Sequence, residues 1–315
     1  MAQDRTKGQI AADFAANAVL RLLIGLALAL PYAARVRLMG FLTRWIIAPV
    51  VGYRRRALAN LAYVWPDRSL SERRAIAGAC CDNAGRTLIE NYSTRALMAR
   101  MAQAPIAGDG LAALEAARAA GRPAILVSGH FGNYEAARAA LVGRGYQIGG
   151  FYRPMKNAFF NDHYVRTMEA FGGPVFPQGR QGTAGFVRHP KAGGQLVLLF
   201  DQNVHGGQIL EFLGKPAATA LSAAELALRY GAVLIPFYAT RKADGIGFDI
   251  VLETPVPPSD PVTMTRALND SLATRIGADP GQWFWIHRRW RIAKDHYSAE
   301  ELAEHFGQDA SGLNM

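Results

Sequence analysis

A chain of 315 residues, 50% hydrophobic and 19% charged, is long enough to bury a full core and too apolar to be disordered. A formal net charge of +10 favours an anionic partner such as nucleic acid, anionic lipid or an acidic carrier protein, although arginine outnumbers lysine 29 to 6, a bias that genome composition alone also produces. The two cysteines, Cys80 and Cys81, are neighbours in a helical pattern and support neither a disulfide framework nor a zinc site.

The amino-terminal segment is the first element. Leu22 to Ala34 is an uncharged run that extends back through Phe14 to about 21 residues if Arg21 snorkels, which reaches across a bilayer. An interfacial helix and a cleaved signal peptide are the alternatives. Asp4 and Asp13 in a long leading arm, and apolar, Arg-punctuated sequence from Leu38 to Gly52, argue against cleavage. Arg35, Arg37, Arg44 and Arg54 to Arg56 follow the run, and the positive-inside rule puts the body of the protein on the cytoplasmic side.

Ser69 and Glu72 form a capping-box pattern that opens a helix running to about Met101. A helix over 110–120 ends at Gly121, and a strand follows at 123–129. Helix and strand then alternate: a helix from about 133, a strand over Gln147–Tyr152, a helix over Asn157–Phe171 and a strand over Gln195–Asp201. A helix at 220–230, strands at Val233–Thr240 and Phe248–Glu253, and a helix over Val262–Ile276 complete the series. The alternation predicts an α/β sheet flanked by helices. No repeat and no long linker divides it, so the expected organisation is an anchor and interfacial segment over 1–52, one domain over 53–294 and a polar tail over 295–315.

His130 to Glu135 (HFGNYE) follow the apolar run Ala124–Gly129, at a strand end, where α/β folds place chemistry. A histidine takes a proton near neutral pH, and a carboxylate on its other ring nitrogen fixes the tautomer. Spacing alone decides nothing: 7 histidines and 25 acidic residues in 315 give about 0.6 such pairs by chance, and His296 with Glu301 is a second one. His296 lies in a polar tail with no strand before it and reads as an exposed helix start. Five helical residues turn about 500°, leaving the ends about 140° apart, so His130 can meet Glu135 only from a turn outside the helix that carries Glu135. The bland alternative is a turn histidine and a first-turn glutamate.

Other strand ends carry polar clusters. Arg153 could bind a phosphate or an oxyanion, or make a surface ion pair; Asp201 could bind a ligand, or an arginine. No nucleophile elbow surrounds Ser128 and no phosphate loop occurs. The segment from Gln282 to Arg291 mixes aromatics with cations, suiting a membrane interface, nucleic acid, or plain core packing.

His130 to Glu135, Tyr152-Arg153-Pro154 with Asn157, Asp201-Gln202, Phe212 to Ala217 and Trp283 to Trp290 together resemble the late (secondary) lipid A biosynthesis acyltransferases, within the wider lysophospholipid acyltransferase-like superfamily. The resemblance implies a glycerolipid-acyltransferase-like α/β sheet flanked by helices, with an N-terminal membrane-anchoring helix. It implies transfer of a fatty acyl chain from acyl carrier protein to a hydroxyl of a Kdo-bearing lipid A precursor, at the cytoplasmic face of a bacterial inner membrane. The implied partners are the membrane, acyl carrier protein and an anionic glycolipid, without nucleic acid; no metal or bound cofactor is implied, acyl-ACP or acyl-CoA being co-substrate. His130 is the implied general base and Glu135 its orienting partner. Arg153, Asn133, Asn157, Asp201 and Gln202 are the implied substrate-binding residues. Where the family has Pro-Glu-Gln, this chain has Pro280-Gly281-Gln282. A mannosylated inositol lipid acylated from acyl-CoA is the nearest alternative reaction, and a non-catalytic protein binding anionic lipid or nucleic acid the alternative of another class.

Overall fold

The computed structural model describes residues 6–291 apart from 156 and 192; His296, Glu301 and the expected tail lie outside them. Helices α1 (Lys7–Leu28), α2 (Tyr32–Leu42), α3 (Ala48–Val50), α4 (Tyr53–Val64), α5 (Leu70–Tyr92) and α6 (Thr94–Met101) make up the first third, with a π-turn over Thr43–Ile47 joining α2 to α3. Thr6 with Gln9 and Ser69 with Glu72 form capping boxes that open α1 and α5, each satisfying two orphan N-terminal donors. The helix expected to reach Met101 breaks at Ser93, whose hydroxyl bonds back to the Ile89 carbonyl.

Helix α1 is apolar enough and, at 21 residues from Gly8 to Leu28, long enough to cross a membrane, spanning about 31 Å. The apolar run expected from Leu22 to Ala34 is therefore shifted: it crosses a break at Pro31, which starts α2, because proline disfavours helix in the residue before it. Side chains on α1 and along α2 and α3 face outward, with Leu22 63%, Phe41 55% and Val50 82% exposed. Contiguous exposed apolar surface of this kind generally marks contact with a membrane or another protein.

The remaining elements are β1 (Ile106–Ala107), α7 (Gly110–Ala119), β2 (Ala124–Ser128), α8 (Tyr134–Val142), β3 (Ile148–Tyr152), α9 (Ala158–Glu169), β4 (Val175–Pro177), α10 (Arg180–Lys191), β5 (Gln195–Leu199), β6 (Gln208–Phe212), β7 (Lys215–Thr219), α11 (Ser222–Tyr230), β8 (Val233–Arg241), β9 (Phe248–Leu252) and α12 (Pro261–Ala278). Seven strands form one sheet in the order β1-β9-β8-β2-β5-β3-β4, parallel except for β8 against β9. Every residue of β2 is buried. Ile125 and Val127 face a core shared with α5, α11 and α12, while Ala124 and Leu126 face one shared with α7 and α8, as period-2 alternation in a sheet covered on both sides requires. Strand β8 continues through Pro236, at the point where pairing with β2 ends (Val127 with Pro236) and pairing with β9 begins (Phe237 with Leu252); there proline's missing N–H does least harm. Strands β6 and β7 form a separate hairpin closed by Leu213 and Gly214, both at positive φ, the two-residue turn whose twist suits a hairpin.

The turn from β2 to α8 is braced from behind. Arg241, at the end of β8, donates to both carboxylate oxygens of Glu90 at 2.6 and 2.7 Å, and Glu90 is fully buried. The side chain of Asn133 donates to Glu90 at 2.9 Å; Asn83 accepts from Arg241 Nε at 2.8 Å and donates to the Gly132 carbonyl at 3.1 Å. Gly132 itself sits at φ 56, and a Cβ there would stand 1.9 Å from the Ala239 carbonyl oxygen.

Gly132→Ala is expected to lower unfolding free energy by about 3 kcal/mol, from the left-handed φ and the displaced β8 backbone together, read by urea denaturation. Glu90→Gln, which leaves Arg241 charged and buried, is expected to cost about 3–5 kcal/mol in the same assay. The double variant Glu90→Gln/Arg241→Gln should lose less than the sum of the two single changes.

Candidate active site

His130 lies two residues beyond the end of β2 and Asp201 two residues beyond the end of β5. The two strands are parallel neighbours with Ser128 opposite Leu199, so register alone carries both residues to the same sheet edge. His130 Nδ1 is 2.8 Å from Asp201 Oδ1, and the His130 backbone N–H donates to Oδ2 at 2.7 Å. Trp283 Nε1 donates to the same Oδ2 at 2.8 Å. Asp201 is only 1% exposed. Burial by itself pushes its carboxyl up, but the charge and hydrogen bonds of His130, with a smaller contribution from His287, outweigh it and hold Asp201 well below the usual carboxylate range. An ionised acceptor at Nδ1 requires the proton on that nitrogen, which leaves the lone pair on Nε2. That nitrogen is 3.5 Å from Gln202 Nε2.

Glu135 takes a different place from the one expected. His130 does lie outside helix α8 and Glu135 does lie in its first turn. The Glu135 carboxylate pairs with Arg138 at 3.1 Å inside the protein, and Arg138 donates in turn to the Ile148 and Gly172 carbonyls. The orienting contact to the His130 ring therefore comes from Asp201, and Glu135 forms part of a cavity wall. The physical cause is angular: side chains fan around the helix axis, and Glu135 shares a face with Arg138 one turn on, whereas the neighbouring parallel strand ends beside the imidazole.

Other sequence candidates are sorted in the same way. Asn133 caps α8, accepting from the Glu135 N–H at 3.1 Å, and is fully buried, so it holds the turn instead of touching a ligand. Asn157 caps α9, accepting from the Phe160 N–H at 3.1 Å, and donates to the Asp13 carbonyl of α1 at 2.8 Å; it ties the apolar helix to α9. Arg153 is exposed beyond β3 and is not among the described residues that line the cavity. Gly281 leaves no room for the glutamate of the family pattern, since its Cβ would meet Ala79 Cβ at 2.7 Å.

A cavity of about 360 Å³ opens at His130. Cys80, Ala84, Leu88 and Tyr92 of α5 line one side, Tyr164 and Met168 of α9 another, and Trp283, Phe284 and His287 close the end near His130. The wall is mostly hydrocarbon and ring, suited to an apolar chain. Burial drives the Tyr134 and Tyr164 phenols up, so both remain hydrogen-bond donors.

His287 and Trp283 were hidden inside the aromatic and basic segment. Trp283 and Trp285 are fully buried and Trp290 nearly so, and Arg289 donates to the Ala218 carbonyl and the Thr219 hydroxyl; the tryptophans pack in the core and offer no stacking faces to nucleic acid bases. The His287 ring meets His130 edge to face at 4.4 Å between centroids. Burial, then the nearby His130, pushes the His287 pKa down to about 3. One donor atom from each of His130, Asp201 and His287 lies within 4.8 Å of the others. Because Nδ1 of His130 is bonded to the Asp201 carboxylate, only Nε2 of His130 and one nitrogen of His287 remain to face a cation, a poorer set than three protein ligands.

The model of the bacterial lipid A biosynthesis acyltransferase family matches residues 3–292. The chain is 24% identical over 268 residues, 84% of each chain, to a lipid A biosynthesis acyltransferase of Haemophilus influenzae. It is 26% identical over 239 residues, 74% of this chain and 77% of the other, to the lipid A biosynthesis lauroyltransferase of Escherichia coli K12. It is also 27% identical over 185 residues, 58% of each chain, to a phosphatidylinositol mannoside acyltransferase of Mycobacterium tuberculosis. With His130 lining an apolar cavity and a family match over residues 3–292, this chain belongs to the bacterial lipid A biosynthesis acyltransferases.

Proposed function

We propose that the protein transfers a fatty acyl chain from the thioester of acyl carrier protein to a hydroxyl of a Kdo-bearing lipid A precursor, by direct attack and without a resident metal or cofactor. The observation that carries this reading is the His130 Nδ1 contact to buried Asp201 at 2.8 Å, with His130 lining an apolar cavity. The acyl chain lies in that cavity, its thioester carbon beside His130. Nε2 of His130 takes the proton of the acceptor hydroxyl as the oxygen attacks, and Asp201 stabilises the imidazolium that forms. The same proton then passes to the departing thiolate. A thioester needs no covalent enzyme intermediate, because the base, the exclusion of water and stabilisation of the developing oxyanion suffice.

The setting is the cytoplasmic face of a bacterial inner membrane, with α1 as anchor and the arginines after it on the positive side. A net charge of +10 suits an acidic carrier protein and a phosphorylated glycolipid alike. Likeness to the mycobacterial protein supports a second reading, acylation of a mannosylated inositol lipid from acyl-CoA.

Full-length protein in detergent, given acyl carrier protein loaded with labelled acyl chain and the lipid A precursor, is expected to form labelled lipid; label appearing only with acyl-CoA and the inositol lipid selects the second reading. His130→Ala should lower the rate about 10²–10⁴-fold. Asp201→Asn, which no longer holds the correct tautomer, should fall in the same range, and Glu135→Gln should cost far less. The reverse ranking of the two carboxylates would return the orienting role to Glu135.

A further inference from the structure

Acyl transfer builds negative charge on the thioester oxygen, and the backbone N–H groups next to the His130 ring are committed elsewhere. From His130 to Asn133 every N–H is already bonded: His130 to Asp201, Phe131 to the Gly129 carbonyl, Gly132 to the Gln282 carbonyl and Asn133 to the Ala239 carbonyl. The Trp283 N–H is held by Asp201. With these N–H groups engaged, a side chain facing the cavity is the more direct donor. Building on the transferase reading above, we propose that His287 is that residue, donating a ring N–H to the thioester oxygen as the tetrahedral intermediate forms.

Four observations carry the assignment. His287 lines the cavity and touches the ring of the base at 4.4 Å. Its Nε2 is shut off from solvent and has no hydrogen-bond partner among the described residues, an expensive state for a ring nitrogen. Its backbone is fixed on both sides, the N–H donating to the Phe284 carbonyl at 3.1 Å and the carbonyl accepting from Asn60 Nδ2 at 2.7 Å, so the ring is placed before substrate arrives. Finally, burial keeps it neutral throughout the working pH range. A neutral imidazole adds no second positive charge beside the His130 imidazolium, and it donates to an oxyanion as a neutral electrophile.

The step balances with one proton in motion. The acceptor O–H proton goes to His130 Nε2 and the carbon–oxygen bond forms. The carbonyl electrons move onto the oxygen held by His287, then return as the carbon–sulfur bond breaks, and the thiolate recovers the proton from His130. His287 keeps its own proton throughout.

The test compares His287→Gln, which retains an N–H donor, with His287→Met, of similar size and without one, in full-length protein assayed with loaded acyl carrier protein and lipid A precursor. His287→Met is expected to lower kcat about 10²–10³-fold with KM for the acyl donor within about threefold, and His287→Gln to recover at least tenfold of that loss. The acid limb of the pH–rate profile should not move. Equal kcat in the wild type and His287→Met overturns the role of His287 while leaving the transferase reading intact. A loss common to both variants overturns it as well, since it marks a packing role, and so does a loss confined to KM or disappearance of the acid limb. Absence of acyl transfer by the wild type overturns the transferase reading and this inference together. Should His287→Met melt below the assay temperature, His287→Asn against His287→Leu supplies the same contrast between donor and no donor.

Discussion

The buried contact between Arg241 and Glu90 is the constraint on which the site depends. Two full charges removed from water are tolerable only if nearly every donor and lone pair finds a partner, and here Asn83, Thr87, Asn133 and the Gly245 carbonyl provide them. Those partners come from α5, from the turn after β2 and from the loop after β8. Satisfying the ion pair therefore fixes three separate pieces of chain relative to one another. Gln282 extends the network by exchanging two hydrogen bonds with the Arg241 backbone, and its own carbonyl accepts from Gly132. The segment bearing Trp283 and His287 is thereby locked to the turn bearing His130. Asn83, Thr87 and Gln282 also line the cavity, and the network as a whole determines where His130, Asp201 and His287 can stand.

Register does the rest. Because β2 and β5 are parallel and paired with no offset at their ends, two residues far apart in sequence emerge side by side. The sequence neighbour of His130 with a carboxylate, Glu135, is directed by its helix into a buried pair with Arg138. The carboxylate 71 residues away is the one that reaches the ring. Proximity in sequence was the weaker guide, since a helix start spreads successive side chains around an axis while a sheet edge gathers distant ones.

That difference explains what was legible in the sequence. Strands β2, β3, β5, β8 and β9 and helix α12 carry strong apolar periodicity or caps and lie close to where they are expected, while the cap of α5 marks its start but not its end at Tyr92. Helical geometry asks for His130 outside the helix only if it meets Glu135; His130 does lie outside α8, but its carboxylate partner is Asp201. Strand β4 and helix α10 escaped: β4 has three residues, and α10 carries Pro190 within it. The β6–β7 hairpin turns on Leu213 and Gly214 instead of an asparagine–glycine pair, so its local signal was faint. Asp201 was singled out as a strand-end residue, but pairing it with His130 requires knowing that β5 lies next to β2. His287 sits among tryptophans and arginines whose composition fits a membrane surface as well as a core; only burial separates the two.

Helix α1 gives the cavity its setting. It packs against α5 and α9, the two helices that form the cavity's long walls, with Phe14 against Phe159 at 5.6 Å and Asn157 bonded to the Asp13 carbonyl. Each methylene of an acyl chain costs about 0.8 kcal/mol to expose to water, so a chain passed from carrier to glycolipid is best kept on apolar surface throughout. In the proposed setting, with α1 in lipid, the two helices that wall the cavity pack directly on the membrane helix. The acceptor hydroxyl then approaches His130 from the interface while its own acyl chains stay in the bilayer, and the transferred chain moves from a protein cavity to a lipid without crossing water. On this arrangement α1 contributes alignment as well as attachment: severing its bond to α9 would loosen the cavity wall even in a protein still held at the membrane.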